Sequence, residues 1–138
     1  MSRTITVEGD VNAVDTRTLL TGQGSVTAPS LVVPAGMTKI KKIIATACAD
    51  GLAAGEAIAF IRLGGNAVLG GEQAIVFGGE DSQTVQAGSD AAPSLGSLFI
   101  LEDADIDVRP SDTISIAGEF AGVDVGDMTF AVTLVYGK

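Results

Sequence analysis

A chain of 138 residues carries one hydrophobic core rather than two, and with 46% apolar residues, 18% charged residues and a mean hydropathy of +0.42 it belongs with globular domains, not disordered tails. Seventeen acidic against eight basic residues give a net charge of −9, which removes the basic footprint on which phosphate-backbone binding relies and leaves nucleic acid off the list of expected partners. The absence of histidine and the single cysteine exclude His-dependent triads, His-containing and four-cysteine zinc sites, and any intrachain disulfide.

The chain opens with Thr4-Ile5-Thr6-Val7-Glu8, an alternation of strand type and not the apolar core of a signal peptide, so synthesis and first residence in the cytoplasm are expected. Parts of Asn12 to Leu20 and of Ser25 to Val33 read as further strands. Residues 1–21 are read as an N-terminal arm or an extension of a sheet edge, with Arg3 to Thr21 crossing to a neighbour. Pro34 then presets a corner before the next apolar run.

Residues Thr38 to Cys48 support two readings. Ile40, Ile43, Ile44 and Ala47 follow helical spacing with Thr38 as a cap, but Lys39, Lys41 and Lys42 in the first turn oppose the helix dipole, and the isoleucines favour a strand. Cys48, among small apolar residues, is expected to be a buried, inert thiol. Glu56 to Leu63, Glu72 to Phe77 and Ser97 to Leu101 are short, continuous apolar runs and predict strands buried on both faces. The likeness of Gly55–Phe60 to Gly71–Phe77 predicts neighbouring strands. Ile114, Ile116 and Phe120 alternate outside-in, with Gly118 breaking the inward row as at a bulge or a close sheet approach. Met128 to Tyr136 is a strand with one buried face.

Glycines between these runs mark turns, and Pro110 marks a second corner, so strands recur at the spacing of a sandwich or closed barrel. The prediction is a single all-β domain over 1–138: an antiparallel β-sandwich, jelly-roll-like, of eight to ten strands. Its aromatic residues Phe60, Phe77, Phe99, Phe120, Phe130 and Tyr136 are all assigned to the core. The longest apolar runs fall far short of the ~20 residues a membrane-spanning helix needs, so no membrane partner is expected.

Few residues suggest chemistry. Asp103, Asp105 and Asp107 fall on one face of an extended segment, with Ala104, Ile106 and Val108 on the other. Two readings stand: a solvent face whose like charges deter edge pairing, or a calcium site completed by a loop or another chain. Asp124 and Asp127 read as loop residues, with a second cation site as the alternative, and Gly78 to Ser82 as an acidic loop. Gly22-Gln23-Gly24 does not continue into a phosphate-binding motif, and serine nucleophiles lack both histidine and an S-x-x-K spacing. No enzyme activity and no cofactor other than calcium are expected.

Charge is unevenly distributed: residues 1–69 carry net +1 and residues 70–138 net −10. This predicts contact between subunits of unlike potential, with Arg3, Arg17, Lys39, Lys41 and Lys42 as interface cations.

The proline corners Val33-Pro34-Ala35-Gly36 and Val108-Arg109-Pro110-Ser111-Asp112, the Gly/Ala/Val-rich composition and the regular last strand together resemble the small virion structural proteins of single jelly-roll type from viruses of bacteria and archaea. That resemblance implies a homo-oligomeric coat, capsid or capsid-decoration subunit located in the virion. The rival readings are a cell-surface filament subunit that adds a strand to its neighbour's sheet, and a calcium-dependent carbohydrate-binding module.

Overall fold

The structure is a computed structural model and describes residues 3–22, 31–49, 55–77, 85–87, 96–122 and 128–138. The strands are β1 (Arg3–Val11), β2 (Thr18–Leu19), β3 (Lys39–Ala49), β4 (Gly55–Gly64), β5 (Gln73–Phe77), β6 (Val85–Ala87), β7 (Gly96–Leu101), β8 (Ile106–Asp107), β9 (Ser115–Gly122) and β10 (Met128–Gly137), and no helix occurs among the described residues. Thr38 to Cys48 is therefore strand, as its isoleucines favour.

Every pairing is antiparallel, in two sheets. The first runs β1-β10-β3-β7 with β8 also on β3, and the second runs β2-β9-β4-β5 with β6 also on β4. Since β7 and β8 share the edge of β3, and β5 and β6 share the edge of β4, each pair fills one strand position. Eight positions remain, and the chain alternates between sheets except from β4 to β5 and β6, which share the second sheet, so that its first and last strands are neighbours. This is jelly-roll order.

The buried faces meet between the sheets. Val7 and Val11 of β1, Ile43, Ala45 and Ala47 of β3, and Met128, Phe130, Val132 and Leu134 of β10 are fully buried, opposite Ala59, Ile61 and Leu63 of β4 and Ile116 and Phe120 of β9. Each large apolar side chain so placed stabilises the fold by about 1.5–3 kcal/mol. Gly118 stands where the inward row of β9 needs room: a Cβ there would lie 2.7 Å from Cδ2 of Phe130, so the glycine admits the ring from the opposite sheet.

The two proline corners meet. Ala35 and Gly36 form a turn closed by Met37 N–H donating to Pro34 C=O (3.1 Å), with Gly36 at φ +81. Pro110 precedes Ser111, which takes φ +66, and Ser111 N–H donates to Val33 C=O (2.8 Å) while Val33 N–H donates to Asp112 C=O (2.9 Å). Corner is thus bonded to corner at one end of the sandwich.

Three expectations about burial are corrected. β4, β5 and β7 are not buried on both faces: Phe60 and Arg62 are partly exposed, Ala74 is exposed and Ile100 is 46% exposed. A two-layer sandwich has only one interior, so the outward residues of these runs face solvent however apolar the run is. Cys48 is half-buried on the outward face of β3, because the inward positions fall to Ala45 and Ala47. Of the aromatics, Phe120, Phe130 and Tyr136 are core and Phe99 packs against it, whereas Phe60 points outward beneath Arg62. The side chain of Phe77 lies outside the described residues. The paired runs around Phe60 and Ile75 are neighbouring strands, β4 and β5.

Candidate functional site

The acidic stripe and the lysine row come together at the end of the sandwich where the corners meet. β8 lies against the start of β3 with Lys39 opposite Asp107 and Ile40 opposite Ile106. Ala104 N–H donates to Lys41 C=O (3.0 Å) and Val108 N–H to Thr38 C=O (2.9 Å), pinning both ends of the segment. Ala104 and Ile106 pack on the core and Val108 is buried, so the predicted alternation holds. Its straightness does not: Glu102 and Asp103 sit in a turn and Asp105 adopts φ +50, so the three aspartates do not form a flat row.

The ammonium of Lys39 lies 2.8 Å from Oδ1 of Asp107 and 3.3 Å from Oδ1 of Asp105. Lys41 reaches Asp105 at 3.9 Å and Lys42 reaches Glu102 at 3.5 Å. Hydrogen bonding to Asp107 first, and to Asp105 second, raises the affinity of Lys39 for its proton above the ordinary lysine value. Asp103 makes no ion pair among the described residues, and no cluster of three or more His, Cys, Asp or Glu side chains there is arranged to hold a metal ion. A cation is already present between Asp105 and Asp107, and it is the chain's own lysine. The groove beside them, lined by Lys41, Glu102, Asp103 and Asp105, is open to solvent.

A second charged cluster escaped the sequence reading. Arg62 Nε lies 3.2 Å from Oε1 of Glu119, its Nη1 lies 3.5 Å from Oε1 of Glu72, and Arg17 Nη1 holds the other Glu72 oxygen at 2.9 Å. The guanidinium of Arg62 stands 5.7 Å above the Phe60 ring. Strand alternation places Phe60, Arg62 and Glu119 on the outer face of the second sheet. The signal was available: an arginine inside the apolar run Glu56 to Leu63, and a lone glutamate at an outward position of β9.

Among the described residues, seven of eight ion pairs join a base of residues 1–69 to an acid of residues 70–138, engaging five of the six bases of the first half and five of the twelve acids of the second. The predicted interface cations Arg17, Lys39, Lys41 and Lys42 all have carboxylate partners of their own chain. Arg3 is exposed, opposite Tyr136 in the β1–β10 register. Residues 3–11 of the anticipated arm lie along β10 and residues 18–19 along β9 of this same chain. Asp124, Asp127, Gly78 to Ser82, Gln23 and Gly24 lie outside the described residues. No helix of the described residues is long and apolar enough to cross a membrane.

No family model and no curated protein matches the chain. Among solved structures, it is similar to a chain from work described as "Bacillus endospore appendages form a novel family of disulfide-linked pili", at 15% identity and a TM-score of 0.36, covering 98% of this chain and 87% of that one. It is also similar, at 11% identity and a TM-score of 0.33, to part of an arabinose-bound α-L-arabinofuranosidase, covering 90% of this chain and 22% of the enzyme.

Proposed function

We propose that the chain is a non-enzymatic structural subunit that assembles with copies of itself, as the unit of a coat, a capsid or a capsid decoration. The observation that supports this reading is the use the chain makes of its charges. Six of its eight basic residues are tied to carboxylates at the surface, and among the described residues the core contains no polar or charged residue other than the phenol of Tyr136. General acids, bases and nucleophiles need a proton affinity brought toward neutrality. Lys39 and Tyr136 are both shifted the other way, toward keeping their protons. A jelly roll serves many functions, so the fold does not choose between them. Exposed Leu19, Leu69 and Ile100 on a chain of low charge content favour burial against other copies.

The test is light scattering across a concentration series, with negative-stain imaging with and without calcium. Closed particles or discrete oligomers are expected; a 13.9 kDa monomer at every concentration overturns the proposal.

A second reading, a surface filament built by strand addition, is favoured by the edge of β1. Glu8 donates its N–H to Gly22 C=O (2.7 Å) and accepts from Gly22 N–H (2.9 Å) on the side away from β10. By strand alternation the peptide groups of Thr4 and Thr6 point the same way, and no described residue pairs with them. Open rods in the same images would select this reading over the first.

A further inference from the structure

The two outer faces of the sandwich differ in kind. That of the second sheet carries the Arg17–Glu72–Arg62–Glu119 network. That of the first sheet is uncharged across its middle: Thr6, Thr133, Ile44 and Ile100 are register partners in one continuous row over β1, β10, β3 and β7. Val135 stands in the row above and Ala131 and Thr46 in the row below. Thr6 and Thr133 hydrogen-bond to each other through their hydroxyls (2.9 Å), which removes polar groups from competition with water, while Ile100 remains 46% exposed.

The geometry points to this outer face of β1-β10-β3-β7 as the surface through which one copy packs face to face on a second copy. The inference rests on the self-assembly proposed above and names its surface. Four strands and about four outward rows span on the order of 500 Å² of flat sheet. Side-chain relief enlarges the accessible area toward the ~800 Å² that a standard interface takes from each partner. Charge stands on either side of that row: Lys42, paired with Glu102 of its own chain, beside Val135 on β3 with Lys41 over Gly137 beyond it, and Glu8 and Asp10 on β1. A two-fold axis in the plane of contact, set midway between Lys42 and Glu8, brings Lys42 of one copy, whose pairing with the exposed Glu102 is weak and exchangeable, onto Glu8 of the other and crosses the two uncharged middle rows at the axis. The surface is thus self-complementary, as an isologous contact requires.

Sedimentation equilibrium of the full chain tests this with Ile100→Lys and Thr46→Lys on the proposed face and Ala74→Lys on the exposed face of β5, each checked for an unchanged melting temperature. Both face variants are expected to weaken association by about tenfold or more, and Ala74→Lys to leave it unchanged within about twofold. Wild-type oligomers that persist in both face variants overturn the assigned surface and leave self-assembly standing. A wild type that stays monomeric throughout overturns both, and a face that then captures some other partner does not restore either.

Discussion

Lys39 and Asp107 face each other across the β3–β8 register, and their side chains close to 2.8 Å with Asp105 on the far side of the same ammonium. The pair sets a cation of the chain's own against two of the three aspartates of the stripe. A divalent ion would have to displace a tethered cation and would still gain only two carboxylates there, where calcium takes six to eight oxygens. Millimolar calcium is therefore expected to leave the melting temperature unchanged, in the wild type and equally in Lys39→Ala, where the two carboxylates are released. Differential scanning fluorimetry with calcium and with a chelator checks this, and a calcium-dependent rise of more than about 2 °C in the wild type would contradict it.

Tyr136 carries a buried hydroxyl that finds no hydrogen-bond partner among the described residues, and burial pushes its phenol up from 10.0 to about 12. The folded chain then holds this proton more tightly than the unfolded chain does, so stability is complete below about pH 10 and falls as pH rises from 10 toward 12. Lys39, also shifted upward, acts in the same direction on the same alkaline limb. The tyrosine contribution is on the order of 2 kcal/mol. Tyr136→Phe is expected to flatten that limb and, by removing an unsatisfied hydroxyl, to leave neutral-pH stability equal or higher by about 1 kcal/mol. Urea melts of both proteins between pH 7 and 12 measure the difference, and parallel curves would refute the assignment.

Arg62 lies over Phe60 and is held by Glu119, with both side chains of the ion pair largely covered, at 26% and 20% exposure. That cover distinguishes it from the exposed Lys42–Glu102 pair, where Glu102 is 70% exposed and screening leaves little energy. Arg62→Ala removes the stem that shields the ring and strands Glu119, for a loss of about 1–2 kcal/mol in denaturant melts. Glu102→Gln, by contrast, is expected to change stability by less than about 0.5 kcal/mol.

The strands were legible because their periodicity follows from burying one face, and β10 and β9 display it residue by residue in Met128–Tyr136 and Ile114–Phe120. The Thr38 to Cys48 segment leaned to strand on two signals together, Lys39, Lys41 and Lys42, which would load the wrong end of a helix dipole, and its three isoleucines. Misreadings arose where composition stood in for geometry. The apolar run around Phe60 suggested burial on both faces, but outward apolar residues can instead be roofed by a neighbouring arginine. The lysine row and the aspartate stripe were each read by themselves, because Lys39 and Asp107 lie 68 positions apart in sequence and only the β3–β8 pairing sets them side by side. Local spacing cannot reveal a contact made by sheet register.

Gly118 was marked in the sequence as a break in an inward row, and the structure supplies the cause in the Phe130 ring, which occupies the space where a side chain would stand. Gly118→Ala would place a methyl within 3 Å of two ring carbons, and a ring wedged between two sheets has little room to withdraw. The expected loss is about 1–3 kcal/mol. If crowding is the mechanism, trimming the ring should recover part of it: Phe130→Leu alone leaves a cavity and is destabilising, but Gly118→Ala adds less in the Phe130→Leu background than in the wild type. A double-mutant cycle by chemical denaturation measures the coupling, and additivity of the two changes within about 0.5 kcal/mol would show that the alanine acts through the strand backbone and not through the ring.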